Sequence, residues 1–224
     1  MAQKSENALK ELPRNLWVVS ATSFLMDVSS EMVINILPLF LSAVLGVKTN
    51  IIGLIEGIAE ATSSVLKVFS GWLSDKLKSR KALTVAGYAL SALAKPFFYL
   101  ASTWEAVAAI RWADRVGKGI RTAPRDALLA DDVKEEHRGL AFGLHRAADT
   151  AGAMLGLLIA AFVVWRVQAG SAALKEQTFR TIVLISMIPA FLAVLVLAFG
   201  AKEVRPSGET QKTRITFKGL GKNF

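Results

Sequence analysis

The 224-residue chain has no cysteine, two histidines and two tyrosines. Without cysteine there is no disulfide framework, no thiol nucleophile and no thiolate metal site, although the redox compartment stays open. The two histidines, His137 and His145, do not form a His-Glu-x-x-His pair, so a zinc hydrolase is set aside and no metal site is expected. No phosphate-binding Gly-x4-Gly-Lys-Ser/Thr loop and no Gly-x-Ser-x-Gly elbow occurs, so the chain is not expected to be an enzyme or to hold a cofactor. Strict apolar-polar alternation over about ten residues is also missing, which excludes a membrane β-barrel.

What is abundant is apolar length. Hydrophobic residues make up 53% of the chain and charged ones 20%, with a mean hydropathy of +0.42, the reverse of a disordered composition. A helix needs about 20 apolar residues to cross roughly 30 Å of hydrocarbon. Six runs qualify: Leu16 to Leu45, Ile51 to Leu73, Ala82 to Ala101, Ala106 to Leu129, Leu140 to Trp165 and Phe179 to Gly200. The fold class expected is an all-α membrane protein, with a leader over 1–14, a six-helix bundle over 15–201 and a basic tail over 202–224. The first run resembles a secretory signal after Lys4, Lys10 and Arg14, yet it is too long, contains Asp27 and Glu31, and lacks a small-x-small cleavage site.

Basic residues set the orientation, because cytoplasmic loops are enriched in Lys and Arg. One side carries Lys4, Lys10, Arg14, Lys76, Lys78, Arg80, Lys81, Arg125, Lys134 and Arg138; the other carries Lys48, Arg166, Lys175 and Arg180. Ten against four puts both termini in the cytoplasm of a multi-pass inner or plasma membrane protein. The net charge of +9 is thereby topological, and nucleic acid is not an expected partner. In the tail, Pro206, Ser207 and Gly208 form a break, and Ile215, Phe217 and Leu220 alternate with Lys218 and Lys222. That segment reads as an interfacial amphipathic stretch, a flexible linker or a solvated tail.

Charges inside the runs carry the functional argument, since each costs about 2.5 to 3.5 kcal/mol near the bilayer centre and is therefore turned inward. The first run spaces Ser20, Ser23, Asp27, Glu31 and Asn35 along one face, and the second does the same with Gly53, Gly57, Glu60, Ser64, Lys67 and Gly71, with Glu56 one turn before Glu60. Lys95 precedes Pro96 in the third. The fourth holds Arg111, Asp114, Arg115, Lys118, Arg121, Arg125 and Asp126, and the fifth holds His145, Arg146 and Asp149. Any one of these could merely fix helix register through a buried pair. With Arg125 and Asp126 assigned to the end of the run, the remaining six carboxylates and seven cations exceed that need, and a wet polar cavity between helices accounts for them. Asp27, about 16 Å into the first run at 1.5 Å per residue, sits near mid-membrane.

These residues resemble the major facilitator superfamily of secondary transporters. Its signature after the second helix, Gly-x-Leu-x-Asp-x-x-Gly-Arg-Arg/Lys-Lys, is matched by Gly71, Leu73, Asp75, Arg80 and Lys81, departing at Lys78, where the family has glycine, and at Ser79, where it has arginine. Arg111 followed by Gly117 and Gly119 looks like its fourth-helix pattern. Gly143, Gly152 and Gly156 have the spacing of its fifth-helix antiporter pattern, with Leu157 in place of the proline. The stretch from Asp114 to Asp126, with Arg138, Gly139 and Asp149, resembles a prokaryotic permease subgroup of unassigned substrate.

The resemblance implies two inverted three-helix repeats, here the amino-terminal half of a twelve-helix unit. It implies transport of a small solute by alternating access, as a permease or efflux antiporter. A proton or sodium ion would be the coupling ion, and a second half or second copy would complete the site. Asp27 and Glu31 lead the proton-coupling candidates, followed by Glu56, Glu60 and Asp149, with Arg111 and Arg115 as expected partners for Asp27. Lys67, Lys95, Arg111, Asp114, Arg115, Lys118, Arg121 and Arg146 are the candidates for the substrate cavity. Gly71, Asp75, Arg80 and Lys81 would form a conformational latch against the other half, and Gly143, Gly152 and Gly156 would pack helices closely. The alternatives are a non-transporting scaffold or sensor and a subunit of a membrane enzyme.

Overall fold

The computed structural model describes residues 11–168 and 173–204. Most of the leader and most of the basic tail, with its amphipathic pattern, lie outside the described residues. The elements are α1 (Arg14–Ile34), α2 (Leu37–Ala43), α3 (Thr49–Leu77), α4 (Arg80–Leu100), α5 (Trp104–Asp132), a single 3-10 turn (Glu135–His137), α6 (Arg138–Val167) and α7 (Glu176–Gly200). The first apolar run is thus two helices. Asn35 ends α1 by donating its side-chain amide to the Glu31 carbonyl at 2.9 Å, and Pro38 stands in the first turn of α2, where its missing N–H costs nothing.

Four of the spans are apolar enough to cross a membrane by composition alone: Arg14–Ala43, Arg80–Leu100, Glu135–Val167 and Glu176–Gly200. The other two, α3 and α5, are 29 residues each, about 43 Å at 1.5 Å per residue, and miss only through the charges they carry. Several of those charges, Arg111, Asp114, Arg115, Arg121 and Arg125 among them, are buried against neighbouring helices, and Lys67 and Lys118 face a cavity.

The packing explains how. Helix α1 lies against α6 and α7, α5 lies against α3 and α4, and α4 lies against α7, while α1 and α5 barely touch. Exchanging the first three spans for the last three maps this set of pairings onto itself. This is the arrangement of two interleaved, inverted three-helix repeats. The ends are tied as well: Asn15 donates to the Lys202 carbonyl at 3.0 Å and accepts from the Lys202 amide at 2.8 Å.

Small residues set the closest approaches. A Cβ at Gly152 would collide with the carbonyl of Phe24, one at Gly156 with that of Val28, and one at Gly119 with Leu66 and the backbone of Ser63. Gly143, expected to share this role, does not: nothing lies within 4 Å of where its Cβ would be. Its spacing is right, but among the described residues no helix crosses there. Away from the charges, Phe40 of α2 stacks on Phe179 of α7 with ring centroids 3.9 Å apart, closing one end of the core.

Candidate functional site

A cavity of about 360 Å³ opens where α1 and α5 separate. It lies within the range of small-molecule sites. Its walls bring together Asp27 of α1, Lys67 of α3, Lys118 and Arg121 of α5, and Arg146 and Asp149 of α6, all read from the sequence as in-membrane charges, and add Tyr88, Thr122 and Arg125.

Arg125 organises one wall. It donates to Asp126 at 2.9 and 3.0 Å and to the Ser23 hydroxyl at 3.0 Å, and stands 4.0 Å from Asp149. Ser23 in turn lies 2.7 Å from the Tyr88 hydroxyl. Asp149 is approached by Arg146 and by His145, each at 3.6 Å, and Ser20 lies 3.4 Å from the other ring nitrogen of His145. The serine stripe of α1 therefore serves to receive α5, α4 and α6, not to line an open pore.

Arg121 is almost fully buried, donates to the Ser91 hydroxyl at 2.5 Å and lies over the Tyr88 ring, 4.6 Å from its centroid. Among the described residues it makes no ion pair. Asp27 makes none either, although Lys118, Arg121 and Arg125 act on it electrostatically and Asp149 opposes them. The pairing of Asp27 with Arg111 and Arg115 expected from the sequence is not formed.

Those two arginines belong to a second cluster, between α3 and α5. Arg111, 1% exposed, grips Glu56 with contacts of 2.6, 3.0 and 3.2 Å, reaches Asp114 at 3.5 Å and Glu60 at 4.0 Å. Arg115 pairs with Glu60 at 3.1 Å. Lys95, 1% exposed, is buried in α4 and interacts electrostatically with Asp114. Glu56, Glu60, Lys95, Arg111, Asp114 and Arg115 thus sit apart from the cavity lining. Glu31 is apart from both, accepting from Asn35 at 2.8 Å.

At the end of the bundle that carries the basic loops, Arg80 joins three helices. It meets Asp75 at 3.0 Å, Asp131 at 2.5 Å and the Ser74 hydroxyl at 3.3 Å. Glu203, just beyond α7, accepts from the backbone N–H of Arg80 at 2.9 Å and of Lys81 at 3.1 Å. Two of the residues read as a latch, Asp75 and Arg80, are therefore engaged within this bundle, and a Cβ at Gly71 would meet Ala123 at an ordinary 3.4 Å.

The Major Facilitator Superfamily model matches residues 19–222. The chain belongs to that superfamily. A protein of Methanocaldococcus jannaschii named as an uncharacterised MFS-type transporter is 36% identical over 222 residues, covering 99% of this chain and 53% of the relative. An uncharacterised protein of Mycobacterium tuberculosis is 36% identical over 121 residues, 54% of this chain and 30% of its own. The chain thus spans about half the length of the first of these relatives. Among solved structures, a peptide transporter in complex with alafosfalin superposes with a TM-score of 0.71 at 18% identity, covering 83% of this chain and 38% of that one. A D-xylose–proton symporter gives 0.61 at 16%, covering 85% and 48%. At such identities the likeness is one of fold: the chain is a multi-pass membrane protein with the architecture of a major facilitator half.

Membership also explains Lys78. It caps α3 with φ 50° and ψ 33°, the left-handed conformation. This is the position where the superfamily signature has glycine, the residue that adopts it without a Cβ penalty. Tyr88 and Glu203 were not legible from the sequence. Tyr88 is one hydroxyl in an apolar run, its register with Ser91 and Lys95 the only signal, and Glu203 reads as the start of a polar tail.

Proposed function

We propose that the chain is half of a secondary transporter that moves a small solute across the plasma membrane by alternating access, with a second half or second copy covering the cavity. One observation carries this reading. Within membrane-spanning helices, the Glu60 side chain is 53% exposed and that of Arg146 is 64% exposed. Hydrocarbon does not accept such groups, so a polar partner and water are what they face. The superfamily fold supports the same reading, and Gly71, Asp75, Arg80 and Lys81 act as the latch between conformations.

Asp27 is the proposed proton-coupling residue, as a mid-membrane carboxylate without an ion pair among the described residues, surrounded by cations that a proton would release. Asp27→Asn then abolishes proton-driven accumulation or efflux in proteoliposomes of the complete gene product while sparing solute exchange at equilibrium. Retained pH-driven transport in that variant overturns the assignment. Orientation is tested by reporter fusions, with Ser79 and Glu135 cytoplasmic and Asn50 and Gln168 outside. The clustering of Glu11, Lys134, Arg80 and Glu203 at one end supports a common side for those loops.

A further inference from the structure

The ion pairs of the cavity do not balance. Asp126 and Asp149 answer Arg125 and Arg146. Lys67, Lys118 and Arg121 make no ion pair among the described residues, and Asp27 is the one carboxylate left to face them on the cavity wall. Three cations from two helices against one acid leave an excess of positive charge at membrane depth, where an uncompensated charge is expensive. In the neighbouring cluster the same helix α5 shows the opposite economy: Arg111 and Arg115 each have a glutamate from α3. Among the described residues Lys67, Lys118 and Arg121 are left without a carboxylate in ion-pair range, where α3 shows that one could have been supplied.

From this we infer that the cavity binds a small polyanion, a solute with two or more anionic oxygens of carboxylate or phosphate type. The inference rests on the transport reading and names its substrate class. Arg121 is the anchor. Its guanidinium is held in orientation by the Ser91 hydroxyl and the Tyr88 ring, leaving donors for a planar, two-oxygen acceptor. Lys67 and Lys118, half-buried on facing helices, are flexible point charges that close on a second anionic group. An organic cation would meet three like charges here, and a neutral sugar would leave all three unanswered.

The test is thermal unfolding of the complete gene product in detergent at fixed ionic strength. The probes are citrate, glycerol 3-phosphate, acetate, tetraphenylphosphonium and sucrose. Citrate or glycerol 3-phosphate raises the unfolding temperature, acetate does so less, and the two polyanionic probes between them distinguish carboxylate from phosphate recognition. Lys67→Gln and Lys118→Gln each weaken the effect about tenfold, the worth of one hydrogen bond to a charged group, while Lys118→Arg keeps it. Lys134→Gln, exposed and paired with Glu11 outside the cavity, leaves it unchanged.

Stabilisation by tetraphenylphosphonium or sucrose without the polyanions, no shift with either polyanion, or an equal loss in Lys134→Gln overturns the inference. Counterflow in proteoliposomes separates it from the transport reading. Polyanions that bind without exchanging sink transport and keep the site. Exchange of a cation or a neutral solute keeps transport and sinks the polyanion.

Discussion

The carboxylate of Glu203 closes the N-terminus of α4 by accepting the backbone N–H groups of both Arg80 and Lys81. The Arg80 side chain meanwhile leaves the same turn to pair with Asp75 and Asp131. The residue that follows the last helix is thereby tied to the loop after the second span, and the negative charge sits where the α4 dipole favours it.

Glu203→Ala removes this cap and exposes two orphan donors. The expected loss is about 1 kcal/mol, the usual cost of deleting an N-cap acceptor, read as a lower unfolding temperature in detergent. Glu203→Gln, which keeps one acceptor oxygen, loses less. An unchanged melting temperature in the alanine variant would show that water replaces the cap without penalty.

Lys78→Gly is expected to stabilise. A left-handed non-glycine residue costs roughly 1 to 2 kcal/mol, part of which is returned as extra backbone entropy of glycine in the unfolded chain. The net gain is about 0.5 to 1 kcal/mol. A fall in stability would mean that the Lys78 side chain makes a compensating contact.

Gly152→Ala and Gly156→Ala each force α6 away from α1, against the backbone carbonyls of Phe24 and Val28, and are expected to cost about 1 to 3 kcal/mol as overpacking. Gly143→Ala is the internal control: it meets open space and gains helix propensity, so it is neutral or stabilising by about 1 kcal/mol. Equal destabilisation by all three would contradict the packing.

Glu56→Gln leaves the buried Arg111 with weaker partners at 3.5 and 4.0 Å and costs about 1 to 3 kcal/mol, the loss of a buried charged hydrogen bond. The double variant Glu56→Leu with Arg111→Met removes both charges and recovers most of that loss. A double-mutant cycle on unfolding free energies gives the coupling, and additive losses would show that the pair is not a unit.

Much of the fold is readable in the chain because the bilayer demands long apolar runs whatever their neighbours are. The inward charges are readable for the same reason. Their partners are not. The spacing of Arg111, Arg115, Lys118 and Arg125 puts them close to one face of α5, yet that face divides between α3, which supplies Glu56 and Glu60, and the cavity, which takes Lys118. Helical periodicity gives a direction around one helix and says nothing of what lies across it. Gly143 misleads in the same way, and the break at Asn35 depends on a local side-chain bond inside an otherwise continuous apolar run.

The reciprocal bonds between Asn15 and Lys202 join residues 187 positions apart, and α1 packs mainly against α6 and α7. During synthesis the first helix enters the membrane with Ser20 and most of its packing face unmatched until α6 and α7 are inserted. Closure over such a separation makes late assembly, not insertion of any one span, the slow and vulnerable step of biogenesis. A polypeptide stopped after the third span would hold α1, α3 and α4 without the helices that answer them, a natural target for membrane quality control.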